Sequence, residues 1–125
     1  MNIESKAEQL ITKLLRETYE GFVRWEIDRA PTGLTVATED VYPLFLSTNY
    51  KGTNIGLYQR RSKYFVDEHE YYWSEDIGLC VFQNNLVGSA VIWQYDGRSI
   101  SLGNLFSAAR EQASGIDTIL DDLLK

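Results

Sequence analysis

The sequence is short of the residues from which metal centres, disulfide frameworks and most catalytic sites are built. It holds one cysteine, Cys80, and one histidine, His69. A single cysteine excludes an intrachain disulfide, and a single histidine leaves little for a zinc site. Two prolines among 125 residues, beside 44% hydrophobic and 13% aromatic residues, exclude a disordered or fibrous chain. No apolar run approaches the ~20 residues of a membrane-spanning helix, and no N-x-S/T sequon occurs. There is no Gly-Lys-Ser/Thr phosphate loop, G-x-G-x-x-G, G-x-S-x-G elbow or H-E-x-x-H helix. Tyr50-Lys-Gly-Thr53 has phosphate-loop residue types without the spacing. Basic charge is also scarce: twelve Lys and Arg stand against eighteen Asp and Glu, a net −6 that disfavours nucleic acid and anionic membranes. Glu4, Lys6 and Glu8 break the opening residues where an export signal needs an apolar run, so the expected compartment is the cytoplasm, where a lone thiol stays reduced.

What is present is the patterning of a single α+β domain over residues 1–125. Ile3, Ala7, Leu10, Ile11, Leu14 and Leu15 recur at helical spacing, which predicts an opening helix. Ser5 and Glu8 read as a capping box, with Asn2 a competing cap and Gly21 the stop. The period then falls to two: Val23, Trp25 and Ile27 alternate with charged residues, as on a half-wet strand. Pro31-Thr-Gly33 predicts a turn and 34–38 a returning strand. The apolar 41–47 stretch predicts a strand whose Pro43 belongs at an edge or a strand start. Residues 49–56 read as a loop, and 57–73 as two short strands around Arg60-Arg61-Ser62-Lys63.

In the second half, 79–83 and the residues from Leu86 flank Asn84-Asn85 as a hairpin. Asp96-Gly97 is the stronger turn signal and predicts Tyr95 facing Arg98 and Trp93 facing Ile100. Leu105, Ala109, Ala113, Ile116, Leu120 and Leu123 form one stripe to the C-terminus. Asn104 is its expected cap; Gly115 either kinks this helix or divides it, with Asp117 capping the second part. The expected fold is a mostly antiparallel sheet of five or six strands with the N- and C-terminal helices packed on one face. Trp25, Ile27, Val91, Trp93, Ile100, Leu10, Leu14, Leu120 and Leu123 are expected in or near its core.

The order of these elements, with Gly21 four residues before Trp25, the Tyr95-Asp-Gly97 turn and a closing helix with a central glycine, resembles a group of small uncharacterised bacterial α+β proteins. The resemblance implies the fold and a bacterial or phage origin. It carries over no catalytic residue.

Two segments could bear chemistry. Asp67-Glu-His-Glu70 would place Asp67 and His69 on one face of a strand, where a carboxylate could orient an imidazole for base catalysis or help bind a metal; with a lone histidine and no second ligand, the favoured reading is a solvated acidic strand or loop. Lys51, Arg60, Arg61 and Lys63 form the only basic segment, interleaved with Tyr50, Tyr58 and Tyr64. Arginine forks beside aromatic rings suit an anionic ligand or nucleotide, so Arg60, Arg61, Lys63, Tyr58 and Tyr64 are candidate ligand residues; the alternative is that these cations balance the acids at 67–76. Tyr71, Tyr72 and Trp73 cannot all face one helix layer, which makes them candidate interface residues. Cys80 reads as core.

With no catalytic constellation, metal set or cofactor motif, the expectation is a non-enzymatic protein that works through protein–protein contact, with another chain or with itself as a homodimer. An immunity-like or inhibitor role against a basic partner is one form of this. A small anionic ligand is the alternative.

Overall fold

The computed structural model describes residues 2–125. Helix α1 spans Ile3–Glu20. Its N-cap is Asn2, whose side chain accepts from the Ser5 amide at 2.7 Å. The expected Ser5–Glu8 box is not formed, because the helix starts one turn earlier and Glu8 is engaged elsewhere. Gly21 ends α1 at φ +82°, the left-handed conformation that closes helices.

Strand β1 is only Glu26–Ile27, much shorter than the alternation from Val23 suggests. Val23 and Trp25 are buried, but Ile27 lies 61% exposed in the outermost strand. The returning strand expected at 34–38 is a single helical turn, α2 (Thr32–Thr35), with Leu34 buried. Strands β2 (Val41–Tyr50), β3 (Thr53–Phe65), β4 (Tyr71–Asn85) and β5 (Gly88–Tyr95) complete an antiparallel sheet in the order β1-β2-β3-β4-β5. Pro43 lies where the β2–β3 register shifts, between Val41 and Leu44, on a stretch that β1 does not reach. The expected 49–56 loop is a tight hairpin. Lys51 and Gly52 take φ +52° and +82°, the two positive angles of a two-residue turn. Asn49 and Asn54, which read as loop residues, bond each other across the strands at 3.1 Å. Leu86-Val87, not Asn84-Asn85, turns β4 into β5.

Asp96-Gly97 forms no hairpin. The chain leaves the sheet there, and Ser99 caps helix α3 (Ile100–Ser114) by accepting from the Leu102 amide at 3.1 Å. Asn104 is therefore inside the helix, and Ile100, at its first position, is 86% exposed. Gly115 at φ +64° ends α3 and begins α4 (Ile116–Leu123); Asp117 lies in the first turn of α4 rather than at its cap. No α4 residue is buried, so Leu120 and Leu123 are not core.

The fold is α+β with the helices α1 and α3 on one face. Ile11 and Leu14 of α1 and Leu102, Leu105, Phe106 and Ala109 of α3 pack on Trp25, Leu46, Ile55, Leu57 and Leu79. Leu10 and Trp93 are partly buried against this core. Two tyrosines tie α1 to the sheet: Tyr95 donates to Glu8 at 2.7 Å, and Tyr50 donates to Glu17. A smaller cluster of Leu34, Phe45, Tyr58, Cys80 and Phe82 fills the opposite face, with Val91 against it. Gly56 and Gly78 make room there. A Cβ on Gly56 would stand 2.3 Å from the Phe45 ring, and one on Gly78 2.1 Å from that of Tyr58.

Candidate functional site

The β3–β4 hairpin outgrows the sheet. β3 and β4 pair continuously from Asn54↔Phe82 to Phe65↔Tyr71. β2 pairs with β3 no further than Arg61, and β5 pairs with β4 only from Leu79 onward. The two expected short strands are thus one long strand. Beyond Arg61 the hairpin projects as a two-stranded arm, closed at its tip by Val66–Glu70.

Asp67 shapes that tip. Its Oδ1 accepts from the amides of His69 and Glu70 at 2.7 and 2.9 Å. The carboxylate is thereby spent on the backbone, and the exposed His69 ring stands 3.5 Å from Glu68. Asp67 and His69 are in a turn, not on a strand, and do not form the dyad that alternation would give.

The basic segment is divided and paired. Successive strand residues face opposite sides, so Tyr58, Arg60 and Tyr64 lie on the face of the small cluster, and Arg61 and Lys63 on the helix-bearing face. Arg60 donates through Nε to Asp76 at 3.0 Å, through Nη2 to Asp76, and to Asp96 at 3.0 Å. The Asp76 hydrogen bond holds its guanidinium well above the ordinary arginine value. Arg61 pairs with Glu75 at 3.4 Å and Lys63 with Glu39 at 3.8 Å. Lys51 lies at the opposite end of β3, in the β2–β3 turn. Tyr58 is fully buried; its hydroxyl accepts from Gln94 at 3.1 Å, and burial pushes its pKa up to about 12. The five candidate ligand residues therefore do not converge on one pocket.

The aromatic residues do come together. Tyr64, Phe65, Tyr71, Tyr72 and Trp73 are each 48–58% exposed on the arm. Tyr64 and Tyr72 form one cross-strand pair, with centroids 5.1 Å apart; Phe65 and Tyr71 form another on the other face at 5.5 Å. Trp73 meets Tyr71 edge-on, and the Lys63 ammonium lies 4.8 Å from the Tyr71 centroid and 5.6 Å from that of Trp73. Half of each ring stays in water, so the two strands carry an exposed aromatic patch. A recess of about 340 Å³ lined by Val41, Arg61, Trp73, Ser74 and Glu75 adjoins them.

The edges of the sheet differ. At β5, Thr32 Oγ1 accepts from the Ser89 amide at 2.9 Å and donates to the Ser89 carbonyl at 3.1 Å. Gly33 comes so close that a Cβ would stand 2.8 Å from the Val91 nitrogen. Helix α2 thus blunts β5, the usual protection of an edge strand. From Tyr71 to Glu75, all exposed, β4 has no such cover among the described residues. On the side away from β3 it has no strand partner there, and the stretch holds no proline or lysine; a groove of about 740 Å³ runs beside Ser74–Ile77 and the 96–99 connection.

Phe65 and the free β4 edge were the features missed from sequence. The signal was available: apolar, aromatic-rich triplets at 64–66 and 71–73 flank a four-residue acidic turn. Compared with protein-family models, with curated proteins and with solved structures, the chain matches none.

Proposed function

We propose that this protein acts without catalysis, as a binding protein whose interacting element is the β3–β4 arm. The observation that carries this reading is the set of five half-exposed aromatic side chains on a projecting ribbon with an uncovered strand edge. Tyrosine and tryptophan supply large contact areas at low entropic cost, and an unpaired edge supplies backbone donors and acceptors. The arm's cations favour a protein partner over an anionic ligand, because an anion would have to displace Asp76, Asp96, Glu75 and Glu39 from Arg60, Arg61 and Lys63.

The test is site-specific photo-crosslinking in cells of the native host. Benzoylphenylalanine replaces Tyr64 or Tyr72 on the arm, and the exposed Tyr19 of α1 as a control at the other end of the sheet. Protein adducts from the arm positions and not from Tyr19 are expected. Irradiation that gives no protein adduct from either arm position overturns the reading.

A further inference from the structure

We infer that the arm's partner is a second copy of this chain, joined through antiparallel pairing of the two β4 edges about a two-fold axis at Tyr72. This rests on the arm being the binding element. Closed two-fold dimers use one surface twice, so the surface must complement itself. The arm does so in one register.

A two-fold axis perpendicular to the extended sheet keeps each face aligned with its counterpart. The pairing must then centre on a residue, since a one-residue slip turns every side chain to the other face. Centred on Tyr72, the pairs are Tyr72 with the second copy's Tyr72, Tyr71 with its Trp73, and Glu70 with its Ser74. The existing β3–β4 register places Lys63, Tyr64 and Phe65 beside Trp73, Tyr72 and Tyr71. Three rows result across four strands. One runs Tyr64–Tyr72–Tyr72–Tyr64, and two run Phe65–Tyr71–Trp73–Lys63 on the other face. The Lys63 ammonium already rests on the rings of Trp73 and Tyr71, so each of these rows ends in a cation over aromatic faces.

Neighbouring registers are worse. Centring on Trp73 sets Tyr71 against Glu75, and centring on Ser74 sets Trp73 against Glu75 and Tyr72 against Asp76. Over the residues paired about Tyr72, from Glu70 to Ser74, no carboxylate is opposite a carboxylate, and Glu68 comes level with the second copy's Asp76 only beyond the strand, in the tip turn; this matters for a chain of net charge −6. Pairing there covers on the order of 500 Å² per copy, about 1,000 Å² in total, the lower bound for a specific interface. A reversible dimer is the result.

The test uses the full chain. Sedimentation at roughly 100 µM, suited to a weak interface, should give twice 14.4 kDa. Tyr72→Glu, which sets two like charges across the axis, should weaken association at least ~10-fold while leaving the far-UV circular dichroism of the folded chain unchanged. Directly opposed strand residues stand within disulfide reach. Tyr72→Cys should therefore cross-link to itself rapidly on mild oxidation, and Tyr71→Cys should do so only when mixed with Trp73→Cys. Cys80 is fully buried and does not compete. A monomer at that concentration, or Trp73→Cys cross-linking to itself faster than Tyr72→Cys, overturns the inference. Photo-crosslinks from the arm to a different protein, with no adduct of twice the chain mass, would remove the dimer and leave the binding reading standing. No protein adduct at all would remove both.

Discussion

Gln112 joins three parts of the chain that the hydrophobic pattern does not connect. Its Oε1 accepts from the Trp25 amide at 2.7 Å, and its Nε2 donates to the carbonyls of Val23 at 2.8 Å and Thr18 at 3.3 Å. One amide side chain on α3 thus satisfies the segment between the end of α1 and β1, where no strand partner serves the backbone. Trp25 is held a second time, by its indole N–H donating to Thr18 Oγ1 at 3.0 Å, while that hydroxyl donates to the Leu14 carbonyl at 2.7 Å. Removing Gln112 leaves partly buried backbone groups unpaired, each worth about 1–3 kcal/mol. Gln112→Ala is expected to lose roughly 3 kcal/mol in urea unfolding with the slope unchanged. Gln112→Glu keeps the acceptor for Trp25 but turns a carboxylate toward two carbonyl oxygens, so it should destabilise at least as much. A loss below about 0.5 kcal/mol, the scale of an ordinary surface substitution, would show that solvent can replace this staple.

At the scale of elements, α3 and α4 form one stripe in sequence and two unlike helices in space. The left-handed Gly115 ends α3 after its buried residues, and α4 continues with Ile116, Ile119, Leu120 and Leu123 all exposed. Because α4 contributes no buried side chain, ending the chain after Gly115 should change the melting temperature by less than about 5 °C. A larger drop in a thermal scan would mean that α4 does stabilise the body. The sequence carried the element types where one periodicity ran unbroken, as in α1 and the 79–95 hairpin. It failed where local signals competed with long-range pairing. Asp96-Gly97 has ideal turn chemistry, but Arg60 captures Asp96 and Ser99 caps a helix, so the turn residues become a sheet exit. Asn49 and Asn54 bond to each other across strands, which no local rule anticipates. The exposure of Tyr71–Trp73 was legible because strand alternation cannot bury three successive rings on one side. The pairing of Arg60 with Asp76 needed the β3–β4 register, which composition alone does not supply.

For the molecule as a whole, the small second core links stability to alkaline pH. Tyr58 and Cys80 are both fully buried there, and burial raises each to about 12, from 10 and 9 respectively. For Tyr58 the Gln94 hydrogen bond and nearby Arg60 oppose this shift without cancelling it. Both groups are neutral when protonated, and both folded values lie above the unfolded ones. Above pH 9 the unfolded chain therefore holds fewer protons than the folded one, and stability falls as pH rises. The contribution is complete below about pH 9 and is lost progressively toward about 12, with Tyr58 alone accounting for about 3 kcal/mol. The raised hydroxyls of Tyr95 beside Glu8 and Tyr50 beside Glu17 act with the same sign. A domain of this size has about 5–15 kcal/mol in all, so the urea midpoint should decline steeply between pH 9 and 11.5. In Cys80→Ala the decline should begin near pH 10, because the thiol no longer titrates and the tyrosine remains. A midpoint that is level to pH 11 in both proteins would mean that water reaches this cluster, and that Tyr58 ionises in place without unfolding the sheet around it.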